Sequence, residues 1–407
     1  MSRAALIIFA VTYAGVALGR LPGLALDRTG LALLGGIAMV VAGVLTEPEA
    51  LRAIDFPTLG LLYALMVLSA QLRLGGFYTR VALAVARLMD RPARFLLILM
   101  AVSAALSALL VNDIVCLAFT PVLAVSLLRS GLNPVPFLLG LAVSSNIGSA
   151  ATIIGNPQNM LIGQVGRLHF GRFLLWCGPP SLLALLAAFL VLAWLYRGRW
   201  RRPAPAANPA AVWPEFNRHQ AAKGVAATAV LVALFFTPIP RELSAMAVAG
   251  VLLCSRRMQT RWILDLVDWH LITLFAGLFV VIRGIEAAGL PERMLAALQG
   301  HGMDIRQPGL LTLVSAALSN LVSNVPATML LVKFMDPADP VPWYVMALAM
   351  TYAGNLLTIG SIANLIVIEQ AKPYGIEIGF REHARAGIPV TVVSLLITLG
   401  WIWWRAG

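Results

Sequence analysis

Asp113 follows Asn112 in the middle of an otherwise apolar run, ALLVNDIVCLAF at 108–119. A carboxyl surrounded by hydrocarbon is rare and is functional by default. Taken out of water it favours its neutral form, so it can carry a proton. It can equally ligate sodium, or cap the helix that follows through backbone N–H groups. A second polar stretch, VSSNIGSAATIIGNPQNMLIGQ at 143–164, supplies Ser145, Asn146, Gly148, Ser149, Thr152, Gly155, Asn156 and Asn159. A third, around Ser323, Asn324 and Pro326, repeats the small-polar-proline pattern. A fourth carries Gly354, Asn355, Thr358, Gly360, Ser361 and Asn364. Amide and hydroxyl oxygens, glycines that let backbone approach a solute, and freed helix ends suit an anion, a neutral oxyacid or a small cation. Small polar residues also let transmembrane helices pack closely, so each Ser and Gly is a candidate for packing as well. No metal, nucleotide or dinucleotide motif is present, and no cofactor is expected.

These residues need a scaffold, and the composition says which. The chain has 407 residues, 60% hydrophobic and 12% charged, against about half and a quarter for soluble domains. It reads as an all-α polytopic membrane protein of the cell membrane, multi-pass, with the lipid bilayer as its first partner. The net charge of +12 sits in short loops, which indicates membrane orientation and excludes a nucleic-acid surface. Cys116, Cys177 and Cys254 are scattered in apolar runs and read as small buried hydrophobes. Residues 4–19 read as a retained first helix.

Spanning a core of about 30 Å takes roughly 20 apolar residues. Spans are expected near 4–20, 29–46, 56–73, 134–165, 173–196, 223–240, 242–255, 268–284, 341–371 and 386–404. Those at 134–165 and 341–371 contain Gly, Pro and Asn clusters and are expected to be broken helices, since Gly and Pro disfavour helix. Irregular backbone at that depth must be buried in protein or line a wet cavity. The stretches 94–128 and 308–335, interrupted at Asn112-Asp113 and Ser323-Asn324, read as re-entrant hairpins. Arg197, Arg199, Arg201, Arg202, Arg218 and Lys223 against Glu215 alone put the linker at 201–222 in the cytoplasm. Its Pro203, Pro205, Pro209 and Pro214 give a flexible or extended composition. Arg256, Arg257 and Arg261 then fall inside as well, and the loops with Glu47, Glu49 and Asp55, and with Asp336 and Asp339, fall outside. The segment carrying Arg73, Arg80, Arg87, Arg91 and Arg94 reads as an interfacial amphipathic helix. Lys333, Arg283 and Glu369 are expected to snorkel at span ends, and His270 to be an interfacial histidine.

The organisation is duplicated. VSAALS occurs at 102–107 and again at 314–319, 212 positions later, and in that frame Asn112 falls on Asn324. Asp55-Phe56 matches Asp268-Trp269 at 213, and Ile154-Gly155 with Asn159 matches Ile359-Gly360 with Asn364 at 205. In-order matches over such a distance indicate an internal repeat. The expected fold is two inverted-topology repeats of five transmembrane helices plus one re-entrant hairpin each, with discontinuous helices at the midplane. The N-terminal repeat is 1–200 and the C-terminal repeat 223–407. Five crossings is an odd number, so the halves face opposite ways, a recurrent transporter plan.

The motifs VNDIVCLAFTP at 111–121, SSNIGSAATIIGNPQNMLIG at 144–163, SNLVSNVPATMLL at 319–331 and AGNLLTIGSIANLIV at 353–367 resemble the ion transporter superfamily. That group includes arsenite/antimonite permeases, citrate-type permeases, sodium/proton antiporters and divalent anion/sodium symporters. The Asn-Asp at the first tip is most similar to the arsenite permease and small anion-permease branch. The Ser-Asn-Thr signature of the dicarboxylate symporters is absent; the nearest triplets are Ser145-Asn146-Ile147 and Ser323-Asn324-Val325. The resemblance implies a scaffold unit, a transport unit that moves as an elevator, and a proton-coupling role for Asp113. The expected function is secondary transport of a small inorganic anion or oxyacid such as arsenite or antimonite. The coupling ion is H+ or Na+, and a homodimer is compatible with the fold. Sodium/proton antiport, organic-anion symport (citrate or dicarboxylate) and an uncoupled anion channel stand as alternatives.

Overall fold

A computed structural model describes residues 2–19, 25–201, 215–255, 257–300 and 303–406. Most of the linker, with Arg202 and its four prolines, lies outside the described residues, as does Arg256. Among the described residues the chain is helical throughout. The first repeat contains α1 (Ser2–Leu18), α2 (Arg28–Val41), a short α3 (Glu47–Ala53), α4 (Phe56–Leu74), α5 (Phe77–Ala86), α6 (Pro92–Leu109), α7 (Asn112–Arg129), α8 (Pro134–Ser149), α9 (Pro157–Val165) and α10 (Phe170–Leu195). The second contains α11 (Arg218–Leu234), α12 (Arg241–Leu253), α13 (Thr260–Leu264), α14 (Trp269–Ala287), α15 (Leu290–Gly300), α16 (Pro308–Val322), α17 (Asn324–Leu331), α18 (Pro340–Ala353), α19 (Ile362–Ala371) and α20 (Phe380–Ala406).

The structure corrects three expectations: the end of the linker, the burial of Cys254, and the interfacial helix, whose arginines are divided among the end of α4 (Arg73), α5 (Arg80, with Arg87 after it) and the start of α6 (Arg91, Arg94). The last residues of the expected linker are helical: α11 starts at Arg218 because Asn217 caps it, its side chain accepting from the Gln220 N–H at 3.2 Å. Cys254 is exposed at the end of α12, whereas Cys116 and Cys177 are buried as expected.

Repeat symmetry is visible in the caps that start the helices. Asp55 accepts from the Thr58 N–H at 2.8 Å, and its counterpart Asp268 from the Leu271 N–H at 2.9 Å. Asn133 and Asp339 do the same for α8 and α18, each followed by Pro-Val-Pro. Each cap is worth about 1 kcal/mol. Packing is equally symmetric: α2 lies on α14 and α12 on α4, while α6 lies on α8 and α16 on α18. The helices therefore form two groups. One holds α1, α2, α4, α11, α12 and α14. The other holds the two hairpins, the two broken helices, α10 and α20, and contains the most deeply buried stretch, where every residue of α8 is buried.

Candidate solute site at the two broken helices

Each broken helix is closed by its own asparagine. Asn159 Nδ2 donates to the carbonyls of Ser149 (3.2 Å) and Thr152 (2.9 Å). Asn364 Nδ2 donates to those of Gly354 (2.8 Å) and Leu357 (3.1 Å). The four acceptors are related by the same 205-residue offset as the two asparagines. Carbonyls freed where a helix stops need partners in a dry interior, and one side-chain amide serves two of them in each half. The downstream half-helices are capped in the same register: Asn156 accepts from the Asn159 N–H at 2.8 Å, and Ser361 from the Ala363 N–H at 3.2 Å.

The hairpin tips meet these breaks. The Asn112 N–H donates to the Gly155 carbonyl at 3.2 Å, and Ser145 Oγ donates to the Asn112 carbonyl at 3.1 Å. The contact fixes the depth at which the first hairpin turns back. Its arms α6 and α7, at 18 residues each, are about 27 Å long, longer than half-depth. The second tip turns at Ser323, whose φ of +76° and ψ of 159° fall where few residues other than glycine go.

Asn146 joins the two halves. Its Nδ2 donates to Asn355 Oδ1 at 2.9 Å and to Asn364 Oδ1 at 3.3 Å. Its Oδ1 accepts from Ser361 Oγ at 2.9 Å and from Asn112 Nδ2 at 3.3 Å. All five side chains are buried. Beside this network lies a cavity of about 20 Å³, lined by Asn112, Asp113, Pro157, Gln158, Ser323, Asn324, Val325, Ser361 and Ile362. The lining residues are the first turns or caps of α7, α9, α17 and α19, so four helix N-termini converge there. Such ends carry partial positive charge and unpaired N–H groups. Asp113 is the only acid in the lining. Asn112 Oδ1 and Asn355 Nδ2, both buried, have no hydrogen-bond partner among the described residues, an arrangement that costs free energy unless a solute or water completes it.

The other candidate residues divide by position. Ser149 and Asn156 hold each other, Asn156 Nδ2 donating to Ser149 Oγ at 2.8 Å. Thr152 Oγ1 bonds the Ala108 carbonyl in the hairpin. Gly148 and Gly155 serve packing: a Cβ would lie 2.3 Å from the Ala104 carbonyl oxygen in one case and 2.3 Å from that of Ser149 in the other. Gly360 and Gly354 likewise crowd Asn320 and Asn324. The Pro326 carbonyl accepts from Tyr13 of α1 at 3.1 Å, away from the cavity, and Thr358 is half-buried beside the second break. Lys333 pairs with Glu286 at 2.8 Å, Arg283 with the same carboxylate at 3.4 Å, and Glu369 with Lys372 at 2.6 Å. His270 is exposed.

Several participants escaped the sequence reading. Gln158 lines the cavity, and Thr351 accepts from both Asn156 and Gln158 at 3.4 Å. His383 of α20 contacts the Asn355 carbonyl at 3.1 Å. Arg241, at the start of α12, donates to the carbonyls of Gly163 (2.7 Å) and Leu168, gripping the far end of α9. The serines of the repeated VSAALS were within reach of the motif itself. Ser107 Oγ pairs with Ser145 Oγ at 2.7 Å, and its counterpart Ser319 donates to Asn324 Oδ1.

The citrate transporter family matches residues 4–353. The chain belongs to this family. It is thus a transporter and not an enzyme, and a multi-pass protein of the cell membrane, within the group of permeases its motifs resemble. An uncharacterised transporter of Mycobacterium tuberculosis is 31% identical over 100% of this chain and 99% of its own length. The silicon efflux transporter of Oryza sativa subsp. japonica is 29% identical over 92% of each chain. The YdaH transporter of Alcanivorax borkumensis matches in fold, with a TM-score of 0.62 at 13% identity over 99% of this chain and 97% of the other.

Proposed function

We propose that this member of the citrate transporter family is a secondary active carrier of a small inorganic oxyacid or anion, exchanged against protons. The observation that carries the reading is the tip cavity. Its volume of about 20 Å³ holds roughly one water, so the tips are closed on each other in this state and must part to admit any solute of several heavy atoms. Its wall is amide, hydroxyl and helix N-terminus, with Asp113 as the lone acid. Amides and hydroxyls hydrogen-bond an oxyacid's own hydroxyls, and the N-termini accept developing negative charge. Asp113 carries the proton, Asn112, Asn324 and Ser361 in the cavity wall hold the solute, and Asn146 and Asn355 brace them from behind.

The repeats divide at the linker, into 1–200 and 223–407. The hairpins, broken helices, α10 and α20 move together as an elevator against the α2–α14 and α4–α12 pairs. A second reading, an organic anion of the citrate type, is favoured by the family description. The test is a solute panel in proteoliposomes: arsenite, silicic acid, citrate and sodium, with internal pH recorded. Concentrative flux of a small oxyacid coupled to a pH change is the expected result. Flux of citrate alone establishes the second reading, and uncoupled flux a channel.

A further inference from the structure

A second cavity, of about 690 Å³, opens between the two helix groups. One wall is α3 with the start of α4 and the end of α14. The other is the last turn of α9, Arg167 beyond it, and the end of α17. It reaches Leu161 and Met329, each four residues past Pro157 and Val325 of the tip cavity. Four helical residues are about 6 Å, so the larger space ends one turn from the smaller. It opens on the side of the acidic loops, the outer side by loop charge.

Each of its acids has a hydrogen-bond or ion-pair partner, and among the described residues only Glu286 is paired with cations. Glu49 accepts from the Thr46 N–H at 2.8 Å and from the Thr46 hydroxyl at 2.7 Å. These two bonds, the backbone one first, with the nearby Arg283 and Arg52 charges, hold its carboxyl below the usual carboxylate range. Asp55 is committed to the Thr58 N–H. Glu286 binds Lys333 and Arg283 at once. The wall carries four cations, Arg52, Arg167, Arg283 and Lys333, against the three acids Glu49, Asp55 and Glu286, an excess of one positive charge. Arg52 on α3 and Arg167 beyond α9 are exposed and have no hydrogen bond or ion pair from their side chains among the described residues. They belong to opposite walls. Arg167 also holds a φ of +47°, left-handed backbone that Gly or Asn adopts at lower cost. A long cationic side chain kept at a position of backbone strain points to use of that side chain.

We propose that this vestibule is a capture site for the anionic form of the transported solute, with Arg52 and Arg167 as its two ligands. A water-filled cleft with low-dielectric walls focuses the field of unpaired charges and raises the local concentration of counter-ions. An anion held between the two arginines waits one helical turn from four helix N-termini. The class of ligand is a small oxyanion or carboxylate; a neutral oxyacid gains nothing from this wall. The proposal rests on the carrier reading for the identity of the ligand as transported solute, and on the vestibule alone for its charge.

The charge is measured without transport. Ala53 lines the vestibule, and Cys254 is the exposed native thiol. Ala53→Cys in a Cys254→Ser background is labelled in right-side-out vesicles with anionic and cationic methanethiosulfonates. The expected result is an anionic-to-cationic rate ratio about tenfold above that for a free thiol at low salt, shrinking as salt rises. The ratio falls to the free-thiol value in Arg52→Gln/Arg167→Gln and survives in Arg52→Lys. Inorganic phosphate slows labelling in the parent and not in the double glutamine variant. Equal rates for both reagents, or a preference that survives in the double variant, overturn the proposal. Labelling reads the vestibule even if no flux is found for any solute. Equal labelling beside intact flux removes the vestibule site and leaves the carrier reading standing.

Discussion

Replacing Asn146 by alanine removes the one side chain that ties both broken helices and the first hairpin together. It deletes two hydrogen bonds at 2.9 Å, to Asn355 and from Ser361, and two at 3.3 Å, to Asn364 and from Asn112. Buried polar bonds within membrane bundles average about 0.6 kcal/mol each, which gives about 2 kcal/mol for four. Counting instead the desolvation of partners left unpaired, about 1 kcal/mol or more per bond, gives about 4 kcal/mol. Thermal unfolding in detergent should drop by roughly 5 °C, at about 2 °C per kcal/mol for a large chain. Because Asn112 and Ser361 line the cavity, the transport kcat/KM should fall as well, by about tenfold for each ~1.4 kcal/mol of that loss felt in the transport transition state. Asn159→Ala is the control: it frees carbonyls behind the first break without touching the cavity wall, so it should lose stability more than solute affinity. An Asn146→Ala protein that melts within 1 °C of the parent and transports within twofold refutes the idea that this junction organises the site.

Gly148→Ala should cost about 1–3 kcal/mol through overpacking, since the new Cβ meets Ala104 backbone at 2.3 Å; detergent melting and monodispersity check it. Ser323→Gly relieves a positive φ and should stabilise by about 1 kcal/mol, with any loss of solute affinity read separately by binding. Arg241→Ala leaves two carbonyls at the end of α9 without their cationic donor. It should destabilise by roughly 1–3 kcal/mol, measured as a lowered melting temperature that Arg241→Lys only partly restores.

The fold was legible because duplication leaves a local trace. Asp55 and Asp268 are both N-caps, and Asn159 and Asn364 both staple a break; each needs its residue type at its position, so the pairs match across the two halves. The NPVP at 133–136 and DPVP at 339–342 carried the same information in plain view. The glycines were harder. A glycine signals close approach but not what approaches, and at Gly148 and Gly155 it is backbone that comes close. Least legible were the contacts made at long range. Tyr13 with Pro326, Arg241 with Gly163 and His383 with Asn355 join different helices, and a lone Tyr, Arg or His in a helix has no periodicity to betray its partner. Ser107 and Ser319 lie between these cases: the motif that contains them was visible, but only the packing of α6 on α8 and of α16 on α18 shows their hydroxyls turned toward Ser145 and Asn324.

Asp113 carries the central claim, since it is the sole acid in the tip cavity and the proposed route for the proton. The direct test loads proteoliposomes with a pH-sensitive dye, imposes a pH gradient, and follows arsenite or silicic acid in the parent and in Asp113→Asn. The expected result is gradient-driven accumulation with matching proton movement in the parent. In Asp113→Asn that accumulation is lost while solute exchange at equal pH persists. Undiminished pH-driven accumulation in Asp113→Asn contradicts the account.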